Sequence, residues 1–504
     1  MTVGALLQLE YGNTDRMAFL TLNPQITHFK SVYKKYTNFA TQFITLQPYA
    51  KSAVLSFEQD TSYTFKVPRD GDAIRDMYLT VELPDIYSDS NYQFQWIKRI
   101  GEYIVKDISL QIDTNQNVDK HYSEWFHAYS ELNYDEGKKK GYYKMIGNIP
   151  EIYDPANASG SGGQYPSVSG RYAPSIVNRK LYLPLIFWFN KFASMSFPLI
   201  AIQKTELNIN LTFRALKYLY TVIDYTGVSG GTGFRVRPTK PNHYIGNFLK
   251  TTTTQNSLDI NPRIEINNIF FDNDERKRFA LSSHDYLITQ LQAINKTYNY
   301  SKSITFDLTN INKPVTELVF MIRRSDMEDV NDWSNFTNWN LNDTPPYSTG
   351  YFNQYGNPLT INSGNISYYK TQNLLKSAVL RIQTQEITIG DSLDNDNPTN
   401  SRLNGKDFIF YNLMENFNSN LNMPSEGIYT YSFSLDNSSL QPIGAVNMSS
   451  INNKDILLNL TDINPNGGYN YPPGTSYNYN VYVFAVNYDI LKIMGGMVGT
   501  MTSN

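Results

Sequence analysis

The chain has 504 residues, of which 41% are hydrophobic and 18% charged, with a formal net charge of −3 and no cysteine. That length suits two domains or one very large β domain. The charge excludes a broad nucleic-acid-coating face, which needs surplus Lys and Arg, and the missing cysteines exclude disulfides, thiolate metal sites and cysteine nucleophiles.

Along the chain, residues 1–11 carry no basic region ahead of their apolar patch and make a poor signal peptide. Asn23 as N-cap and Pro24 as first helical residue predict a short helix over residues 23–33, with Ile26, Phe29 and Tyr33 on one side. Residues 62–67 and 77–83 then alternate as half-buried strands, separated by the turn chemistry of residues 68–72. A further strand places Ile104, Lys106, Ile108, Leu110 and Ile112 on one face. Residues 118–132 read as a helix, with Trp125, Tyr129 and Leu132 at helical spacing. The run Lys138, Lys139 and Lys140 reads as a solvated loop. Residues 153–174 are rich in Gly, Ser, Ala and Pro and read as a long exposed loop.

The apolar stretch 181–202 is interrupted by Pro184, Asn190, Lys191 and Pro198, so two buried strands are expected there rather than a membrane span. Residues 205–213 alternate cleanly. The Gly-rich segment 226–241 is the expected linker. Ile264 to Phe270 is expected to open the second half, followed by strands at 303–308, 317–323, 378–382, 428–435, 455–460 and 480–488. Residues 326–367 form a second long loop region. Strand, turn and strand at this spacing point to sandwiches or barrels.

Catalytic constellations are missing. No phosphate-cradling Gly-x4-Gly-Lys-Ser/Thr loop and no His-Glu-x-x-His occurs. Of His28, His121, His127, His243 and His284, only His121 and His127 lie close, and six residues is the wrong spacing for a zinc pair on one helical face. Gly227, Ser229 and Gly231 match a hydrolase elbow in form, but no helix pattern follows them. The acid cluster Asp272, Asp274 and Glu275 is followed by Arg276, Lys277 and Arg278, which predicts local ion pairing. The acidic segment 391–396 lacks the Gly and terminal Glu of a calcium loop. No catalytic, cofactor-binding or metal residue is therefore assigned, and no cofactor is expected. Among the Asn-x-Ser/Thr sequons, Asn157, Asn335 and Asn365 are the best-placed glycan acceptors.

Several segments together carry a family likeness. They are Gly4 to Leu9, Asn23 to Tyr33 with Tyr36 to Ala40, Asp119 to Phe126, and Leu183 to Phe189 with Pro198 to Ile202. Phe271 to Phe279, His284 to Ile288, Gly427 to Leu435 with Gln441-Pro442, and Asn487 to Met497 continue the set. In this order they resemble the major capsid proteins of nucleocytoplasmic large DNA viruses. Residues 12–17 depart from the family pattern.

The resemblance implies an all-β chain of two consecutive eight-stranded jelly rolls, a vertical double jelly roll, with short helices and long surface loops. With strand patterning and composition placing the junction near residues 220–260, the chain is expected to divide into an N-terminal arm (1–25), a first roll (26–220), a linker (221–258) and a second roll (259–504). Three chains would form a pseudo-hexagonal capsomer, because a trimer of two-barrel subunits presents six similar barrels to a hexagonal lattice. Capsomers would tile an icosahedral shell, made and assembled in the host cytoplasm, with no catalysis and no direct nucleic-acid binding. Implied partners are further copies of the chain, minor capsid and penton proteins, and an internal viral membrane at the base. The rival reading is a carbohydrate-binding or host-attachment β-sandwich acting through aromatic loops such as that holding Trp333, Phe336 and Trp339.

Overall fold

The computed structural model describes residues 2–6, 19–49, 54–113, 116–158, 160–161, 164–168, 173–226, 234–236, 238–250, 257–328, 331–337, 374–391, 427–460 and 478–501. In the first half the principal strands are β1 (Phe39–Leu46), β2 (Thr61–Lys66), β3 (Ala73–Leu83), β4 (Val105–Ile112), β5 (Gln116–Tyr122), β6 (Arg179–Pro184), β7 (Leu207–Phe213) and β8 (Arg263–Phe271). They form two antiparallel sheets, β1-β8-β3-β6 and β2-β7-β4-β5. In the second half β9 (His284–Tyr298), β10 (Ser303–Asp307), β11 (Pro314–Arg324), β12 (Leu375–Ile382), β13 (Gln385–Asp391), β14 (Ile428–Ser432), β15 (Lys454–Leu460) and β16 (Tyr479–Met494) follow. Their sheets are β9-β16-β11-β14 and β10-β15-β12-β13. Counted from the start of each half, both use the order first, eighth, third, sixth in one sheet and second, seventh, fourth, fifth in the other. That double-sheet arrangement is a jelly roll, so the chain folds as two consecutive eight-stranded jelly rolls.

Binary patterning explains most strands. β7 reads Leu-Asn-Ile-Asn-Leu-Thr-Phe, with every apolar residue buried and every polar one half-buried, as a strand with one covered face requires. β11 and β16 break that rule, being buried at nearly every position. Leu318, Phe320 and Ile322 of β11 and Val481, Val483 and Ala485 of β16 fill the second roll's own core. The alternate residues Val319, Met321, Tyr482, Phe484 and Val486 belong to the core cluster of the first roll. The sheet β9-β16-β11-β14 is thus covered on both faces, and the rolls share one continuous apolar contact.

Several expectations are corrected. The strand containing Ile264 to Phe270 does not open the second half. As β8 it lies between β1 and β3, closing the first sheet. Much of the segment expected to be a linker is folded into the first roll as well. Tyr220–Asp224 pairs with Tyr92–Trp96, and Ile245 and Phe248 are buried in the same core; residues 227–233, with the elbow-like glycines and Ser229, lie outside the described residues. Residues 118–122 are the end of β5, hydrogen-bonded to β4, so the helix α1 spans only Ser123–Asn133. Pairing along a sheet edge overrides the helical period there. The stretch 181–202 contains one strand, β6, followed by three single-turn 3-10 helices at Trp188–Asn190, Ala193–Met195 and Leu199–Ala201.

A β-bulge between Val105 and Asp107 turns Lys106 out of the face it was expected to share. It is exposed, with its Nζ 2.5 Å from Asp60 Oδ2. Lys138, Lys139 and Lys140 lie on a helix, α2 (Glu136–Met145), whose N-cap Asp135 accepts from the Lys138 amide. Within the expected exposed loop 153–174, Pro155 and Ala158 are buried, and the Tyr165 hydroxyl donates to Phe94 O at 2.7 Å. Residues 23–33 form no helix, and Asn23 has φ 54°. Ile26, Phe29 and Tyr33 are exposed, and a short helix with no surface for its apolar side is unstable in water.

One glycine is required by its surroundings. Gly427, just before β14, has φ +90°, and a Cβ there would sit 2.4 Å from Phe336 O. Gly427→Ala is expected to cost about 3 kcal/mol from left-handed strain and overlap with backbone. A urea midpoint unchanged from the parent chain would refute this.

Candidate functional site

The functional feature of a two-roll chain is the joint that fixes one roll against the other. It is assembled from the edge of β5, from α1 and from the turn 214–220 in the first roll. The second roll contributes β9, β11, β16 and residues 325–337.

The edges of β5 and β9 are tied by polar contacts. Gln290 Nε2 donates to Val118 O at 2.7 Å, and the Leu291 amide donates to Asp119 Oδ1 at 3.0 Å. The other Asp119 oxygen lies 3.0 Å from His121 Nε2, and the His121 ring stacks on Phe187 with centroids 4.9 Å apart. Beside this seam, Trp125 of α1 packs on Phe484, and His127 on Phe336. Asn331 Nδ2 donates to the carbonyls of Lys217 and Tyr220 at 2.9 and 2.8 Å, and Trp333 Nε1 to Tyr218 O at 3.0 Å. At the far end of β16, Gly496 O accepts from the Lys204 amide at 2.9 Å.

At the centre sits Arg323, 1% exposed. Its guanidinium donates to Glu328 Oε1 at 2.7 Å, to Glu124 Oε1 at 3.3 Å, to Trp333 O at 2.9 Å and to the Tyr482 hydroxyl. Trp333, Phe336 and Tyr482 present rings to the same cation. Arg214, from the first roll, lies 4.1 Å over the Trp333 ring. Burial alone would raise the Glu124 carboxyl, but Arg323 and then Arg214 hold it below the ordinary carboxylate range. The cluster therefore stays ionised and paired, which suits a rigid joint. A cleft of about 570 Å³ opens on it, yet the charged groups there already satisfy one another.

A second buried network braces α1 and α2 within the first roll. Arg99 donates to Glu102 at 3.0 Å and to Glu131, while Lys139 Nζ lies 3.0 Å from the other Glu131 oxygen.

The residues singled out from the sequence fall mostly into structural roles. His127 Nδ1 lies 2.9 Å from the Tyr103 hydroxyl. Burial first, then Arg99, Arg323 and Lys139, push its pKa well below the ordinary histidine value. Among the described residues no group of three His, Asp or Glu is placed to hold a metal. Asp272 caps the helix α3 (Asn273–Leu281), and Arg276 reaches Asp72 at 2.9 Å, so that pairing is long-range rather than local. Of the acidic segment 391–396 only Asp391 is described, at the end of β13.

Asn335 is fully buried, which removes it as a glycan acceptor in the folded chain, while Asn157 is exposed and Asn365 lies outside the described residues. Trp333 and Phe336 are buried in the joint rather than displayed for sugars, and Trp339 also lies outside the described residues. Sequence reading missed Arg323 as the keystone. Its signal was present: an Arg-Arg pair directly after the continuous apolar run Leu318 to Ile322 of one strand.

Comparison with known proteins agrees with this architecture. The family "Major capsid protein N-terminus" matches residues 27–239, and "Large eukaryotic DNA virus major capsid protein" matches residues 275–499. The chain belongs to the major capsid proteins of large eukaryotic DNA viruses. It is 29% identical to the major capsid protein of Phaeocystis pouchetii virus, over 99% of this chain and 100% of that one. It is 28% identical to that of Pyramimonas orientalis virus with the same coverage.

Among solved structures, it resembles PBCV-1 VP54 with a TM-score of 0.66 and 22% identity, covering 95% of this chain and all of the other. The Faustovirus major capsid protein follows, at TM-score 0.62 and 14% identity, covering 97% and 96%. Both support the double jelly-roll fold. The role of this capsid chain is structural, and its place is the virion.

Proposed function

We propose that this capsid chain assembles as a homotrimer with a pseudo-hexagonal outline and that such trimers tile an icosahedral shell. The observation that carries this is the repetition of one strand order in two rolls locked by a buried joint. A rigid pair of equivalent barrels, repeated three times about an axis, offers six similar edges to a lattice. The chain itself performs no catalysis in this reading. Minor capsid and penton proteins and an internal membrane at the base are its further partners, and assembly takes place in the host cytoplasm.

We also place the division between the rolls in the short segment after Phe271 rather than at 221–258. Support comes from β8, which pairs within the first sheet, and from the second family match, which begins at residue 275.

Mass photometry of the purified full-length chain is expected to give three times the 57.8 kDa chain mass. Each subunit contact should bury more than about 2,000 Å², as obligate assemblies do. Electron micrographs should show a three-fold particle with a hexagonal outline. A folded chain that remains monomeric at concentrations where relatives assemble would sink the proposal.

A further inference from the structure

The N-terminal arm is the least satisfied part of the molecule. Phe19, Leu20, Leu22, Ile26, Phe29, Val32, Tyr33 and Tyr36 all face solvent, with Phe29 at 99% and Val32 at 87% exposure. So many large apolar side chains in one short segment mark a surface that something covers. The charge is equally one-sided. Between Asp15 and Glu58 the chain has no Asp or Glu, while Lys30, Lys34 and Lys35 lie within the arm. Its spacing is helical although its backbone is not. Wound as a helix from Pro24, the residues Ile26, Phe29, Val32, Tyr33 and Tyr36 fall within an arc of about 120°. Thr27, Lys30, Ser31, Lys34 and Lys35 occupy the other side.

We propose that residues 24–36 fold into an amphipathic helix on an anionic lipid bilayer. Phe and Tyr rings sit well at the headgroup level. Lysine stems can lie along the apolar face while their ammonium groups reach lipid phosphates and carboxylates. The bilayer supplies the apolar surface whose absence leaves the segment non-helical, as for other interfacial helices. Basic and aromatic residues also bind single-stranded nucleic acid by stacking, but Leu20, Leu22, Ile26 and Val32 have no stacking role, and they make up half of the exposed apolar set. The proposal rests on the shell reading only for where such a bilayer would lie.

The test uses the full-length chain and flotation with vesicles of phosphatidylcholine, with and without phosphatidylserine. The chain is expected to float with the anionic vesicles and to gain helical circular dichroism. Changing Lys30, Lys34 and Lys35 to Gln should weaken partition by about a hundredfold, from a contribution near ~1 kcal/mol for each lysine. Phe29→Ser with Tyr33→Ser should abolish both flotation and the helical gain. These positions are exposed, so the melting temperature of every variant should match the parent.

No flotation, equal flotation of the variants, or flotation on phosphatidylcholine alone that the lysine changes leave intact would overturn the proposal. So would arm-dependent binding of a single-stranded oligonucleotide, or of a second copy, in place of vesicles. Mass photometry of the same samples separates the two readings. Trimers that ignore vesicles defeat the lipid proposal alone, and monomers that float defeat the trimer alone.

Discussion

Arg323→Ala is expected to lower the unfolding free energy by about 3–5 kcal/mol, the usual cost of removing one partner from a buried charge cluster. Glu124 would be left buried, with Arg214 at 3.8 Å as its remaining cationic partner among the described residues. Glu328 and the Tyr482 hydroxyl would lose a donor, and three aromatic rings would lose the cation they enclose. Chemical denaturation of the full-length chain should show the midpoint moving while the rolls individually keep their strand content. Arg323→Lys should recover little, since one ammonium cannot span Glu124, Glu328 and the Trp333 carbonyl together. The same cluster has an acid limit. A carboxyl held low contributes stability above the unfolded value of 4.5 and loses it as pH falls through its lower folded value. The parent should therefore lose more stability below pH 4.5 than Arg323→Ala does. Equal acid sensitivity in the two would show that Arg323 does not hold Glu124 down.

The second large effect belongs to the buried histidines and lies at milder pH. His243 is wholly buried, its ring stacked on Tyr220 at 4.4 Å, and neither ring nitrogen has a partner among the described residues. Burial pushes its pKa down from 6.5 to about 4, only partly opposed by the nearby Tyr220 backbone. In this window the unfolded chain takes up a proton that the folded chain refuses. Stability is thus complete above pH 6.5 and falls as pH drops towards 4, by roughly 3 kcal/mol in all. His127 adds a loss of the same sign.

His243→Leu should fold as well as the parent at pH 7.5, because an apolar ring site takes leucine readily. Between pH 6.5 and 4.5 its stability should fall less steeply, by roughly 1.4 kcal/mol per pH unit. Parallel stability–pH curves for the two proteins would show that His243 does not carry the effect.

How far the sequence disclosed this molecule depends on what each segment packs against. Strands with one wet face, such as β7 and β15, were legible from alternation alone. β11 and β16 appear only as apolar runs, because their second faces meet the first roll and the polar half of the pattern is gone. Composition pointed to residues 221–258 as the end of the first roll, whereas we propose that the division follows Phe271. The Gly-rich segment near residue 230 resembles a linker, but residues on either side of it, 220–224 and Ile245 with Phe248, pack into the first roll. The arm was read as a helix from a sound 3.6-residue pattern, and the isolated chain lacks the surface that would make the pattern worth folding. The joint was the least visible part. Glu124, the neighbours Arg323 and Trp333, and Tyr482 come from three distant parts of the sequence, and neither periodicity nor composition records that two folded rolls bring them together.

The position of β8 also governs the timing of synthesis. The strand between β1 and β3 is the last of the first roll to leave the ribosome, so more than half of the chain must emerge before that roll can close. Until then β1 and β3 present open edges, and unpaired strands recruit one another. β16 repeats the situation at the C-terminus, and its outward face also completes the joint. Each nascent capsid chain thus seals its first barrel late, and its second barrel and its final shape together.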